Sequence, residues 1–192
     1  MSRVAAVAPV VPEYSYTQAE MTGMLAPLLA ENSRHEAVIE RMHGASGIDR
    51  RHMALPLERY PELGSFRETN DEFIRVSTEL LERALTTALA DAGLAPSDVD
   101  FVFFTSVTGI SAPSIDALLI PRLGLRSDVK RVPSFGLGCL AGAAGLARVH
   151  DYLVGHPDEV GVVLSVELCS LTLQRDDHSM ANFVATGLFG DG

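Results

Sequence analysis

From Ser134 to Gly145 the chain reads SFGLGCLAGAAG, and two chemistries fit that run. In the first, Cys139 is a nucleophile at the start of a helix, where unpaired amides and the helix dipole favour a thiolate over a thiol. Gly136 and Gly138 would make the tight turn, and the amide of Cys139 would face an oxyanion. The small residues from Ala141 to Gly145 would let that helix pack closely through a core and fix the sulfur. In the second, Gly136, Gly138 and Ala141 satisfy G-x-G-x-x-A, which seats a dinucleotide pyrophosphate between a strand and a helix. Glu167, ending a later strand, would then be the ribose-binding acid of an NAD-type oxidoreductase. Spacing alone leaves a third reading open, a buried structural cysteine.

The elements that must hold Cys139 follow from hydrophobic patterning. DFVFFTSV (Asp100 to Val107) is apolar on both faces, as in the middle of a covered sheet. PSIDALLIPRLGL gives a short helix, KRVPSF a strand, LAGAAGLARVHDYLVG a helix and EVGVVLSVEL another apolar strand. Strand alternating with helix predicts a layered α/β protein. Before them, Phe73, Val76, Leu80, Leu81, Ala84, Leu85, Ala88 and Leu89 repeat at helical spacing and predict a helix from Asn70 to Ala92, capped by Thr69 and Glu72. Thr17 to Glu20 (TQAE) is a capping box for an earlier helix, and a second spans Arg34 to His43. Val4 to Val10 reads as a buried first strand, Arg50 to His52 as a loop, and the polar RDDHS around His178 as a solvated loop. NFVATGLFGDG reads as a helix running into a turn. Ending there leaves an apolar sheet edge uncovered, so a fragment is expected.

Composition narrows the function classes. Of 192 residues, 47% are hydrophobic and 21% charged, enough for one packed domain and too apolar for a disordered chain. The net charge of −10, with Lys130 the single lysine beside fourteen arginines, argues against nucleic-acid and anionic-membrane partners. Pro9 and Pro12 interrupt the apolar N-terminus, which therefore does not read as a signal peptide, and no stretch reaches membrane-spanning length. Cys139 and Cys169 show neither CxxC nor Cys/His metal spacing. No metal and no disulfide are expected, and a reducing cytoplasm is the default.

The run RVPSFGLGCLAGAAGLARVHDYL resembles the active-site segment of type III polyketide synthases, the chalcone synthase superfamily. The likeness extends through TSVTGISAPSIDALLIPRLGLRSDVKR upstream and VELCSLTLQRDD and GLFGDG downstream. It implies a thiolase-like αβαβα sandwich with a mixed sheet, made of two similar halves, of which residues 1–192 resemble the first. The last strand of that half would follow Gly192. By the same likeness Cys139 is acylated by an acyl-CoA starter and carries extension with malonyl-CoA, without any other cofactor. The product would be an alkylpyrone, an alkylresorcinol or a naphthol. The partner histidine and asparagine would come from the second half, and none of the six histidines here fits the role, so these residues alone would not complete a condensation.

Glu167, Cys169 and Thr172 match positions lining the polyketide cavity, with Val107 and Thr108 opposite. Ala112 and Pro113 match a loop that carries a cis-proline and reaches into a partner subunit, implying a homodimer. Arg41 matches a coenzyme A-binding basic residue, but Val38 and Ala45 stand where lysines are expected, which leaves an acyl-carrier-protein donor open. An initiating ketoacyl-carrier-protein synthase and a non-catalytic half that only pairs with another subunit are the remaining alternatives.

Overall fold

A computed structural model describes residues 2–192. In chain order the elements are β1 (Tyr14–Thr17), α1 (Gln18–Leu29), α2 (Ser33–Ala45), β2 (Arg50–Met53), α3 (Phe66–Ala92), β3 (Val99–Thr105), α4 (Ile115–Leu123), β4 (Lys130–Ser134), α5 (Ala141–Gly155), β5 (Val160–Ser165) and α6 (Met180–Leu188). They fall into two compact units, one of residues 2–10 and 74–167, the other of residues 11–73 and 168–192.

The first unit is built on a three-stranded parallel sheet in the order β4-β3-β5. Its central strand is buried on both faces. Phe101 and Phe103 pack with Val149, Tyr152, Leu153 and Val163, while Val102 and Phe104, pointing the other way by strand alternation, are also buried. β4 is an exposed edge carrying Lys130, Arg131 and Pro133, and charge with a missing amide donor discourages further pairing there. α5 lies so close to the sheet that a Cβ on Gly145 would come 2.9 Å from the Phe103 ring and 3.1 Å from Val163. The sequence places this helix through a core, but only Ala141, Gly145 and Val149 are buried. Leu146 and Val154 on its other side are 57% and 70% exposed.

The second unit pairs β1 with β2 antiparallel, Tyr14 opposite Met53 and Thr17 opposite Arg50. Thr17 and Glu20 form the expected capping box on α1. Met21, Leu25, Leu29, Ile39 and Phe183 are among its buried apolar side chains. His43 is buried with them, its Nδ1 2.9 Å from Thr22 Oγ1 and its Nε2 3.3 Å from Thr186 Oγ1. Burial and the charge of Arg51 hold its imidazole below the usual value of 6.5.

Four expectations need correction. Val4 to Val10 forms no strand, and Val4 and Val7 are 69% and 77% exposed. Among the described residues nothing pairs with that segment, and Pro9 has no amide to donate. Arg50 to His52 is not a loop but part of β2, because Arg51 and Met53 alternate inward. The Arg51 guanidinium is accommodated by donating from Nε to Gln18 Oε1 at 3.0 Å and from one terminal nitrogen to the Phe189 carbonyl at 2.8 Å. α3 begins at Phe66 rather than Asn70. Its start is set by Ser65, whose Oγ accepts from the Glu68 amide, while Glu68 accepts from Ser65 Oγ and the Gly64 amide. Thr69 instead donates to the Phe66 carbonyl. His178, lastly, is half-buried rather than solvated, its Nδ1 3.0 Å from the Leu29 carbonyl.

Candidate functional site

Parallel register puts the C-terminal ends of β3, β4 and β5 on one side of their sheet, with Thr105 level with both Ser134 and Ser165. The segments leaving those ends carry Val107 and Thr108, Cys139, and Glu167. In open α/β sheets that side is where ligands bind, because strand ends and helix starts open a crevice there.

Cys139 sits in a single 3-10 turn, Gly138–Leu140, that runs directly into α5. Gly136 and Gly138 have φ of +88° and +55°, a left-handed backbone that side chains with a Cβ disfavour. Nothing lies within 4 Å of a Cβ at either position, so the requirement is conformational rather than spatial. The thiol is exposed and forms no disulfide. Phe135 and Leu140, close to it in the sequence, are each 65% exposed.

Glu167 is half-buried beyond the end of β5. Its carboxylate accepts from the Val107 amide at 3.1 Å, from Thr108 Oγ1 at 2.8 Å and from Ser106 Oγ at 3.3 Å. These bonds tie the segment after β3 to the segment after β5 and bring Val107, Thr108 and Glu167 together. They also commit the carboxylate within the chain, where a ribose-binding acid would need its acceptors open. The Ala112–Pro113 bond is cis, both residues are exposed, and Ser111 Oγ donates to the Pro113 carbonyl at 2.7 Å. α4 follows, with Asp116 in its first turn paired to Arg131 at 2.7 Å.

The other expected residues belong to the second unit. Cys169 and Thr172 begin and end one 3-10 turn. Thr172 Oγ1 donates to the Cys169 carbonyl at 2.8 Å, and Cys169 is half-buried while Thr172 is exposed. Arg41 is exposed on α2, as is Ala45, while Val38 is half-buried.

Beneath that turn lies a buried polar chain that the sequence reading did not single out. Tyr60 accepts from the Leu55 amide at 3.2 Å, and because the Ser170 hydroxyl spends its hydrogen on Asp191, Tyr60 is the donor to Ser170 Oγ at 2.6 Å. Ser170 Oγ in turn donates to Asp191 Oδ2, and Asp191 also accepts from the Ser170 amide at 2.9 Å and the Ala54 amide at 2.6 Å. Burial pushes the Asp191 carboxyl up to about 6, against the opposing pull of those donors and of Arg51. Burial and the nearby Asp191 charge raise the Tyr60 hydroxyl as well. The signal for it was the G-D-G sequence at 190–192, an acid between two glycines after an apolar helix.

Among the described residues no helix is long and apolar enough to cross a membrane. The family of chalcone and stilbene synthases, N-terminal domain, matches residues 2–192. A 1,3,6,8-tetrahydroxynaphthalene synthase of Streptomyces peucetius subsp. caesius is 53% identical over 189 residues, 98% of this chain and 50% of the relative. A phloroglucinol synthase of Pseudomonas fluorescens is 32% identical over 180 residues, 94% of this chain and 51% of that one. The crystal structure of 1,3,6,8-tetrahydroxynaphthalene synthase from Streptomyces coelicolor, a bacterial type III polyketide synthase, superposes with a TM-score of 0.88 at 30% identity, covering 97% of this chain and 53% of that chain. The chain thus spans about half the length of the relatives it matches. The fold those matches share is the thiolase-like one expected from the resemblance, and its first half is what β3, β4, β5 and their helices build. The chain belongs to the chalcone and stilbene synthase family, whose N-terminal domain it matches from residue 2 to residue 192.

Proposed function

We propose that the chain is the acyl-loading half of a type III polyketide synthase, with Cys139 as its nucleophile. The observation that carries this reading is the exposed thiol in the turn opening α5, at the strand-end side of the parallel sheet. The Cys139 thiolate attacks the carbonyl carbon of an acyl-CoA. A new carbon–sulfur bond forms, the bond to the coenzyme A sulfur breaks, and coenzyme A leaves as a thiolate that takes up a proton. Amides at the start of α5 stabilise the transient oxyanion. Malonyl-CoA then loses carbon dioxide to give an enolate, whose carbon attacks the Cys139 thioester and displaces the sulfur. Stabilising that enolate is work for a histidine and an asparagine supplied from outside these residues, so this chain by itself loads but does not condense.

Val107, Thr108 and Glu167 shape one wall of the cavity, with Glu167 as the tie rather than the acid–base group. Cys169 and Thr172 contribute to the cavity, and the exposed Ala112–Pro113 loop serves a homodimer contact. The naphthol-forming names of the Streptomyces relatives favour an aromatic product. Arg41 serves the coenzyme A phosphates, and the absence of lysine at Val38 and Ala45 keeps a carrier-protein donor as the second reading.

The test is the mass of the denatured full-length protein after brief exposure to a long-chain acyl-CoA. One acyl adduct is expected, and Cys139→Ala should abolish it. No adduct on folded protein overturns acyl-CoA loading, and transfer from an acyl-carrier protein alone would establish the second reading.

A further inference from the structure

The turn between α1 and α2, the first turn of α2 and the loop before α6 bring together three groups outside the proposed acyl-loading site: Glu31, His35 and His178. Their donor atoms all lie within 4.8 Å of one another. His178 Nδ1 is 3.0 Å from the Leu29 carbonyl. A carbonyl only accepts, so Nδ1 carries the hydrogen, and a neutral ring then turns the lone pair of Nε2 outward. That lone pair faces Glu31 Oε1 at 3.1 Å. Two acceptors at that distance are held together by a shared cation, either a proton on Nε2 or a metal ion. His35 adds a second unmet group, because its Nδ1 is buried and has no hydrogen-bond partner among the described residues. Glu31 Oε2 is 3.9 Å from it. The two imidazoles stack at 5.9 Å, and Phe183 meets the His35 ring edge-on at 5.7 Å, so both rings are held in orientation by packing.

We propose that Glu31, His35 and His178 form a site for a divalent metal of the zinc class. Two imidazole nitrogens and a carboxylate are a donor set for zinc, nickel or copper rather than for calcium or magnesium. Ligands about 2.1 Å from a tetrahedral zinc stand roughly 3.4 Å apart, so the widest pair must close by at most about 1.4 Å. Glu31 is 57% exposed on a flexible stem and can make that movement. The His178–Leu29 bond is the outer-shell contact that fixes tautomer and ring direction in metal-binding histidines. Water completes the fourth position. Bound there, the ion fastens the α1–α2 turn to the loop before α6 and stabilises that unit by mass action. Spacing along the sequence could not reveal it, because His178 lies far from Glu31 and His35 in the chain.

The experiment uses the full-length protein, stripped with a chelator and dialysed. Zn²⁺ is titrated calorimetrically, Co²⁺ by visible absorption, and the melting temperature is followed with added Zn²⁺. One equivalent per chain, tetrahedral cobalt bands and a raised melting temperature are expected. His35→Gln and His178→Gln should each weaken binding by about tenfold or more and remove the bands. Glu31→Gln changes an exposed side chain that the fold does not need, so it gives a reading if either histidine variant fails to fold. No saturable binding, as for an imidazolium–carboxylate pair, overturns the site. So does binding that all folded variants retain. The result is independent of acyl loading at Cys139.

Discussion

Single side chains carry two conflicts between burial and charge, and one has a measurable sign. A carboxyl at about 6 in the fold, against an ordinary 3.8, binds its proton more tightly folded than unfolded. Its stabilising contribution is therefore complete below about pH 4 and is lost as pH rises through about 6, on the order of 2–3 kcal/mol in all. Asp191→Asn does not titrate, but turns one of its acceptors into a donor facing Ser170 or Ala54, which should cost about 1–3 kcal/mol. Urea unfolding of both proteins from pH 4 to 7 should show the gap between them narrowing as pH rises. A widening gap would mean that the amides and Arg51 outweigh desolvation. His43, held below its usual value in both proteins, contributes the opposite slope and cancels in the difference. A second residue-scale outcome concerns Gly187, where a Cβ would come 2.6 Å from the His43 ring. Gly187→Ala should destabilise by about 1–3 kcal/mol, from overpacking alone, and lower the melting temperature.

Elements decide where Cys139 stands, and α5 shows how. Its sheet-facing side requires Gly145, so Gly145→Ala, despite better helix propensity, should lose about 1–2 kcal/mol and tilt the turn that holds the sulfur. Gly142, on the exposed side with nothing within 4 Å, should accept alanine with a gain of up to about 1 kcal/mol in this chain alone. Comparing melting temperatures of the two variants checks the assignment of faces. The elements that position Cys139 were legible because their patterns are local: a wholly apolar β3, glycines before the cysteine, and alternating strand and helix. The start of α3 was misplaced because SFRE at 65–68 and TNDE at 69–72 are both capping boxes, and only packing chooses between them. β2 was missed because RRH carries no strand signature, and its pairing with β1 is a long-range property. The Tyr60–Ser170–Asp191 chain joins three distant stretches, which no window of sequence can connect.

At the scale of the molecule, the exposed side of α5 and the relatives' double length point the same way. Leu146 and Val154 on α5 and Leu140 just before it are exposed apolar side chains that the proposed second half would cover. Residues 1–192 expressed alone should self-associate in analytical ultracentrifugation, and should bind a hydrophobic dye more strongly than the full-length protein. The short chain should show no condensation product with acyl-CoA and malonyl-CoA, whatever its loading. In the full-length protein the mild gain from Gly142→Ala should turn into a loss, because the covering surface then meets the added methyl.

The carboxylate that bridges two strand ends also makes a built-in reporter. Val107 lies past the last residue of β3, yet its amide is held by Glu167 as firmly as if it were still in a ladder. Its deuterium uptake should therefore be as slow as that of strand amides, while neighbouring loop amides exchange early. Replacing Glu167 with alanine should release that one amide first, and glutamine, which keeps a single acceptor oxygen, should give an intermediate rate. Timing the exchange of Val107 thus reads the integrity of the tie between the two strand ends without substrate, product or turnover.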